Sequence, residues 1–411
     1  MPALTHCGPV DIVDLPFRRA ANALTNPRMN GVTIPPPPPS VATPVPPDFN
    51  GQWIGFLNGD TPGLGVIELE LEDGWISGTA YLYPTDKQIV PAAIRLAFPA
   101  NLGFQQLKGL PILPFSPDHG RVITREEMAV LYPLSDVSDF ADVTLSFNGA
   151  DIFVHFKTAI SAGFGNLTKA HSKPSGLKTF QMSWEQFRDY IFQWSSLKDF
   201  VFRGQRDTWP LRSSFHRSSK KNLERYTSVS IPEVHNSLIN KIDERLDLSD
   251  PTDLGCLYSI LQHHGYPTPL LDWTKSPWIA AYFAFEHAQR TNHCVRIFAL
   301  NRREWSSMEQ KNHLTMTRPH FSFIDLLSRG NERALPQQSV FTVTTVDDIE
   351  AHIIATENFY QRSFLWAIDI PTPERSRALS DLDSMGTNRS SLFPDRDGIC
   401  QTLKMKHFGI D

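Results

Sequence analysis

Two folded units of different class are predicted by this chain: a small antiparallel β barrel or sandwich, then a larger mixed α+β domain. Three observations carry that prediction. The 411 residues exceed what one hydrophobic core normally holds. Residues 49–165 alternate apolar and polar positions in short runs, punctuated every ten residues or so by glycine or proline, as antiparallel strands do. From residue 179 onward, helical spacing of apolar residues takes over, interspersed with strand-length apolar runs.

Residues 1–48 read as a proline-rich leader and linker. Phe17, Ala20, Ala21 and Leu24 have helical spacing, but the stretch reads better as a loosely ordered leader. Pro35–Pro39, with Pro44, Pro46 and Pro47, hold an extended polyproline conformation that cannot join a ladder, so this segment is a semi-rigid spacer. Strands are then expected at Trp53–Phe56, Val66–Leu71, Trp75–Tyr83, Val90–Phe98, Asp142–Phe147 and Asp151–Lys157. Asp73-Gly74 is a strong hairpin turn between the second and third of these. No catalytic constellation falls in this β-rich region, which leaves two readings: an accessory or sensor domain that binds a ligand or partner, or a structural appendage that shapes access to the C-terminal module. Residues 166–178, with three lysines, a proline and a glycine, are the expected linker.

The C-terminal domain begins at residue 179. Ser183-Trp184-Glu185-Gln186 is a capping box, in which the serine accepts from the first turn and the glutamine reaches back. The helix that follows leads into a strand at Val201. Further helices are expected at Ile231–Leu246 and Leu254–His263, and another from Ser276-Pro277 to Ala288, where proline suits the first helical turn. Val295–Leu300 returns as a strand. The capping box and the few apolar residues in the linker predict that a fragment starting near Lys173 folds alone.

Composition narrows the function. A net charge of −5 argues against a globally basic nucleic-acid binder while leaving room for a local basic groove. Cys7, Cys256, Cys294 and Cys400 are scattered without CxxC spacing, which fits reduced thiols and offers no zinc site. No run approaches the ~18 apolar residues of a membrane span, and the first residues do not read as a signal peptide. The expectation is a cytoplasmic protein with no membrane partner.

The chemistry concentrates in two strings. In Val201-Phe202-Arg203-Gly204-Gln205 a strand delivers an arginine, whose planar fork of donors matches phosphate oxygens, next to a glycine that permits close approach. The second is Gln262-His263-His264-Gly265-Tyr266-Pro267-Thr268-Pro269-Leu270-Leu271-Asp272-Trp273-Thr274-Lys275-Ser276-Pro277. Asp272 sits on what reads as a buried strand, so it must be paired or functional, and an ion pair with Arg203 serves both. Thr274 and Ser276 are pocket hydroxyls or helix caps. His264 is the histidine favoured for the site, and His263 the one for capping, where the helix dipole suits a cationic ring. Trp209 and Trp273 read as core, with stacking on a ring as the alternative. Asp395 and Asp397 have turn spacing.

These strings, together with Asn331-Glu332-Arg333, Gln337-Gln338-Ser339-Val340-Phe341 and Leu392-Phe393-Pro394-Asp395-Arg396-Asp397-Gly398, resemble the FRG domain, a bacterial module named for its Phe-Arg-Gly string, over about residues 180–411. The chain departs from that pattern at Ser339, where the family usually has glycine, and at Pro269, where it usually has arginine. At a distance the segment also resembles ADP-ribosyltransferases. That resemblance implies an ADP-ribosyltransferase-like fold in which Arg203 contacts NAD phosphates, Thr274 and Ser276 stand for a hydroxyl string, and Ala280–Ala284 packs behind. Where those enzymes carry a catalytic glutamate on a later strand, this chain has Gln338. An amide cannot offset developing positive charge as a carboxylate does, so either another acid substitutes, with Glu332 and Asp272 the candidates, or the fold performs a different reaction.

The resemblances therefore imply an effector in a toxin or antiphage role that takes a nucleotide ligand, NAD in the first place, and modifies a macromolecular acceptor, protein or nucleic acid, without a metal. Phe202, Arg203, Gly204, Gln205, Thr274 and Ser276 are the expected binding residues. Arg203, His264, Asp272, Glu332 and Gln338 are the expected catalytic ones. A nuclease or phosphotransferase acting on nucleic acid, and a non-catalytic nucleotide sensor, remain open alternatives.

Overall fold

The computed structural model describes residues 50–408 except 101–102, 119, 239–240, 242–245, 290, 309–313, 315–316 and 326–332; the proline-rich leader and Glu332 lie outside the described residues. The first sheet contains β1 (Gly51–Gly59), β2 (Gly63–Glu72), β3 (Trp75–Pro84), β4 (Ala92–Pro99), β5 (Phe104–Pro111), β6 (Leu113–Pro114), β7 (Phe140–Asn148), β8 (Asp151–Lys157) and β9 (Ala162–Lys169). They pair antiparallel in the order β5-β7-β8-β9-β1-β2-β3-β4-β6, and the approach of β4 to β5 leaves the sheet nearly closed.

The Asp73-Gly74 hairpin forms as expected, with φ of 52° and 80° at the two turn residues, a backbone whose twist matches that of the flanking strands. In the first domain three strands and a helix were not legible in the sequence: β5, β6, β9 and α1 (Arg125–Leu131), the last capped by Thr124 with Glu127. Asn166–Lys169, assigned above to the linker, is instead the second half of β9. Its alternation is diluted by Gly163 and Gly165, which let β9 lie against β1; a Cβ on Gly165 would come 2.3 Å from the Phe56 carbonyl oxygen.

The second sheet contains β10 (Lys178–Gln181), β11 (Phe200–Gln205), β12 (Leu270–Thr274), β13 (Cys294–Asn301), β14 (Phe321–Ile324), β15 (Ser339–Thr344) and β16 (Leu365–Pro371), in the order β10-β16-β13-β11-β12-β15-β14. Only β10 and β16 run parallel, so the sheet is mixed. The capping box at Ser183 starts α2 (Trp184–Gln193). On one face, α2, α4 (Pro277–Glu286) and α6 (Arg375–Ser384) bury Phe202, Ile297, Ala299 and Ile368. Leu270, Phe341 and Val343 are covered by α3 (Pro251–His263). On the opposite face, Val201, Phe298 and Trp273 pack with Trp305 and with Ile349 and Ile353 of α5 (Ile349–Tyr360).

The domains meet across a polar junction. The alternation of β2 points Ile67 and Leu69 into the first core and sends Glu68 and Glu70 outward, yet these carboxylates are 4% and 3% exposed because the second domain covers them. Glu70 accepts from the backbone N–H of Lys221 and Asn222, and Glu68 from that of Leu223. Gln52 donates to the Thr345 carbonyl at 2.7 Å and accepts from Asp347 N–H at 3.0 Å. Burial pushes the Glu68 carboxyl up to about 8. Asp347 shows the opposite balance: burial opposes its charge, but the hydrogen bond from His171 and the charges of His216, Lys221 and Arg212 hold it well below the usual carboxylate range.

Candidate functional site

A gap in the second sheet makes the site. β11 keeps six register pairs with β13 but only one with β12, Phe202 opposite Thr274, so beyond that pair the two strands part. The crevice that opens there holds about 340 Å³ and is bounded by Ser259, Gln262 and His263 of α3 and by Ala280 and Phe283 of α4. Arg333, Gln337 and Phe393 close its far side.

Arg203 is fixed at the rim. Its Nη1 donates to the Asp272 carbonyl at 2.6 Å, and its Nε is buried without an acceptor. Burial lowers its pKa against the favourable charge of Asp272. The contact joins arginine to the aspartate's backbone and not to its carboxylate, which corrects the expected ion pair. Asp272 is also exposed where a buried position was expected, because its side of β12 faces the gap. Its carboxylate is positioned by Gln262, whose Nε2 donates to Oδ2 at 2.6 Å while its Oε1 accepts from the buried Thr268 hydroxyl.

The glycine of the Phe-Arg-Gly string has a packing cause. A Cβ on Gly204 would lie 1.9 Å from the Ala280 carbonyl oxygen, so only glycine lets α4 settle against β11. Phe202 is fully buried in the core and also lines the crevice. Gln205 is buried outside the crevice lining, with its Oε1 unpartnered. Thr274 lines the crevice and accepts from Ser276 N–H at 3.1 Å; Ser276 is the N-cap of α4 and stands outside the lining.

The histidine pair divides the other way from the expectation. His264 is the C-cap of α3 and stacks on His263 with centroids 5.2 Å apart, while His263 lines the crevice. Burial, followed by the charges of Arg333 and His264, lowers the His263 pKa and favours the neutral imidazole. Gln338 is exposed, with φ of 49°, and its carbonyl accepts from Lys275 N–H; its neighbours Gln337 and Ser339 reach the crevice. Trp273 is core, donating to Thr342 Oγ1, and Trp209 is exposed beneath the Arg206 guanidinium.

Sequence reasoning did not single out Gln262, Arg333 or Phe393 as site residues. Arg333 is ion-paired to Asp395 at 2.5 Å and lies 4.9 Å over the Phe393 ring. Asp395 also accepts from Gly398 N–H, and a Cβ on Gly398 would meet the Phe393 carbonyl, so Phe393–Gly398 is a folded brace that sets both Phe393 and Arg333 in place. The signal was present in the paired appearance of the Arg333 and Asp395 strings. Among the described residues no His, Cys, Asp or Glu group is clustered as a metal site. Two guanidinium groups, one positioned carboxylate, a neutral imidazole and aromatic faces suit an anionic ligand that carries a ring.

No curated protein and no solved structure matches the chain significantly. The FRG domain family model matches residues 198–293, the stretch that supplies β11, α3, β12 and α4 and with them Arg203, Gln262, His263 and Asp272. The walls and rim of the crevice are thus largely the work of the matched segment, and the chain carries an FRG domain.

Proposed function

We propose that this crevice binds a nucleotide, with NAD as substrate, and that the protein transfers ADP-ribose to a protein or nucleic-acid acceptor in a toxin or antiphage role. The observation that carries the reading is the anchoring of Arg203 on the Asp272 carbonyl, which puts a guanidinium and a carboxylate on one rim, the groups a phosphate and a ribose call for. The order of arginine strand, hydroxyl strand and packing helix supports it by resembling ADP-ribosyltransferases. Arg203 and Arg333 bind the diphosphate. Asp272, steadied by Gln262, holds a ribose hydroxyl and offsets the positive charge that develops as the glycosidic bond to nicotinamide breaks. Nicotinamide leaves with the bonding pair, the acceptor heteroatom bonds to the same ribose carbon, and His263 takes the acceptor's proton. Asp272, one of the two acids expected to substitute for the glutamate, thereby takes that part, and His263 takes the one first expected of His264.

The test is incubation of the full chain with NAD labelled in its adenylate and its nicotinamide, in the presence of mixed cell macromolecules. Nicotinamide release with adenylate label in one macromolecular fraction is expected. Arg203→Ala and Asp272→Asn should each lower the rate by about 10²-fold or more, with melting little changed. A parent that releases no nicotinamide refutes the reading. Because a neutral His263 beside two guanidiniums also suits attack on a phosphodiester, cleavage of RNA or DNA without NAD would select phosphotransfer instead, and binding without turnover would select a sensor.

A further inference from the structure

A second crevice, of about 600 Å³, lies where the two domains meet. The β domain contributes Trp53 and Lys169, and the FRG domain contributes Arg212, Arg217 and Lys221. One carboxylate lines it, Asp347, already engaged by Arg212 at 2.5 Å and by Lys221 at 3.7 Å. Arg217 is exposed; its one hydrogen bond goes to the Arg212 carbonyl at 3.4 Å, and it forms no ion pair among the described residues. Two donors on residues that line the cleft, Trp53 Nε1 and Arg212 Nε, are buried without an acceptor, and Trp53 itself is only 3% exposed. Neutralising Asp347 accounts for Arg212 and Lys221. It leaves Arg217 and the two orphaned donors without a purpose, and native folds seldom leave buried donors unmet.

We propose that this interdomain cleft is a second anion site, which takes the phosphate or diphosphate group of a small phosphorylated ligand and clamps the β domain onto the FRG domain. A wall rich in donors matches a group that only accepts, and the volume is that of a small-molecule site. The cleft shares no lining residue with the Arg203 crevice, but the two are close enough for charge to act between them. The charge of Arg217 acts on both Arg203 and Asp272, so an anion bound beside Arg217 alters the field at the Arg203 crevice. Linkage then requires that occupancy of either site changes the affinity of the other. The binding itself stands independently of the reaction assigned to the Arg203 crevice.

The test titrates the full chain with inorganic pyrophosphate at constant ionic strength, alongside Arg203→Ala, Ser219→Glu and the pair Lys169→Gln with Arg217→Gln. Ser219 lines the cleft and is exposed, so a glutamate there repels an anion without removing a cation or a core contact. The parent and Arg203→Ala should both bind in the cleft. Ser219→Glu and the double variant should each weaken that binding by about tenfold or more, and agreement between them guards against a folding defect in either. Binding abolished by Arg203→Ala and untouched by the cleft variants overturns the proposal while leaving the Arg203 reading intact; absence of binding overturns it as well. Repeating the titration with a nucleoside diphosphate and with a short oligonucleotide identifies the source of the phosphate. Binding of the oligonucleotide alone would overturn the small-ligand assignment.

Discussion

On β2, Glu68 and Glu70 alternate with apolar core residues and are buried; on β12, Asp272 alternates in the same way and is exposed. The difference lies in what covers each strand. The second domain lies on the outer face of β2 and supplies backbone donors to both carboxylates, whereas β12 parts from β11 beside Asp272 and leaves it facing a crevice. A period of two assigns a side chain to a face. Whether that face becomes a junction or a site depends on an element far away in sequence. In this molecule the nearly closed sheet uses its polar face for docking, and the open sheet leaves a gap lined by Arg203, His263 and Asp272.

The sharpest way to break that contrast is to remove the first sheet. A fragment starting near Lys173, expected from sequence to fold alone, loses the partners that Glu68, Glu70 and Gln52 provide to residues 221–223, 345 and 347. It also uncovers apolar surface around Tyr258 and Ile231, which face the β domain across a shared cavity. The fragment is therefore expected to melt far below the full chain or to stay unfolded, as circular dichroism and thermal melts of both proteins would register. A fragment that matches the full-chain melting temperature would make the junction energetically idle.

Close packing offers the next test, since each sheet has a glycine against backbone. A Cβ on Gly204 would lie 1.9 Å from the Ala280 carbonyl oxygen, and one on Gly55 would lie 2.2 Å from that of Asn166. Neither neighbour is a flexible side-chain end, so each Gly→Ala change should cost about 3 kcal/mol or more. They part at the ligand: Gly204→Ala displaces α4 from β11 and should remove nucleotide binding even where it still folds, while Gly55→Ala should leave binding to the folded fraction intact. Equal losses of binding would deny the crevice its dependence on α4.

A smaller effect separates the buried carboxylate from the exposed one. The folded-state pKa of Glu68 is raised from 4.5 to about 8 by burial, so its contribution is fully present below pH 4.5 and is lost as pH rises through about 8. The parent should therefore lose stability relative to Glu68→Gln across that window. Parallel melting curves over the same pH range would show that Glu68 is not desolvated as the junction requires.

Much of this was legible and some was not, for reasons tied to particular residues. Capping boxes, hairpin turns and Pro277 are local signals, and α2, α4 and the Asp73-Gly74 hairpin follow them. Arg203 and Asp272 could be singled out because an arginine before glycine and a carboxylate between apolar residues have few packing reasons to exist. Their mutual geometry was beyond reach, because it depends on β11 and β12 separating after one register pair. The choice between His263 and His264 turned on a single residue at a helix end, where 100° of helical rotation decides which ring meets the crevice. Arg333 and Phe393 are brought in by a brace more than a hundred residues from Asp272, and only tertiary contact reveals that.

The finest test falls on Gln338, whose sequence position suggested a catalytic amide. It is exposed and its φ of 49° lies in the left-handed region, which costs a side-chain-bearing residue about 1 kcal/mol. Gln338→Gly should relieve that cost, offset in part by the greater freedom of glycine in the unfolded chain, for a net gain of about 0.5 kcal/mol. Gln338→Glu adds a solvated charge at an exposed turn and should leave stability within about 0.5 kcal/mol. Neither variant should change nicotinamide release, because the residues that reach the crevice from this turn are Gln337 and Ser339. A rate increase in Gln338→Glu alone would bring that side chain back to the substrate and move the acid's role from β12 to the start of β15.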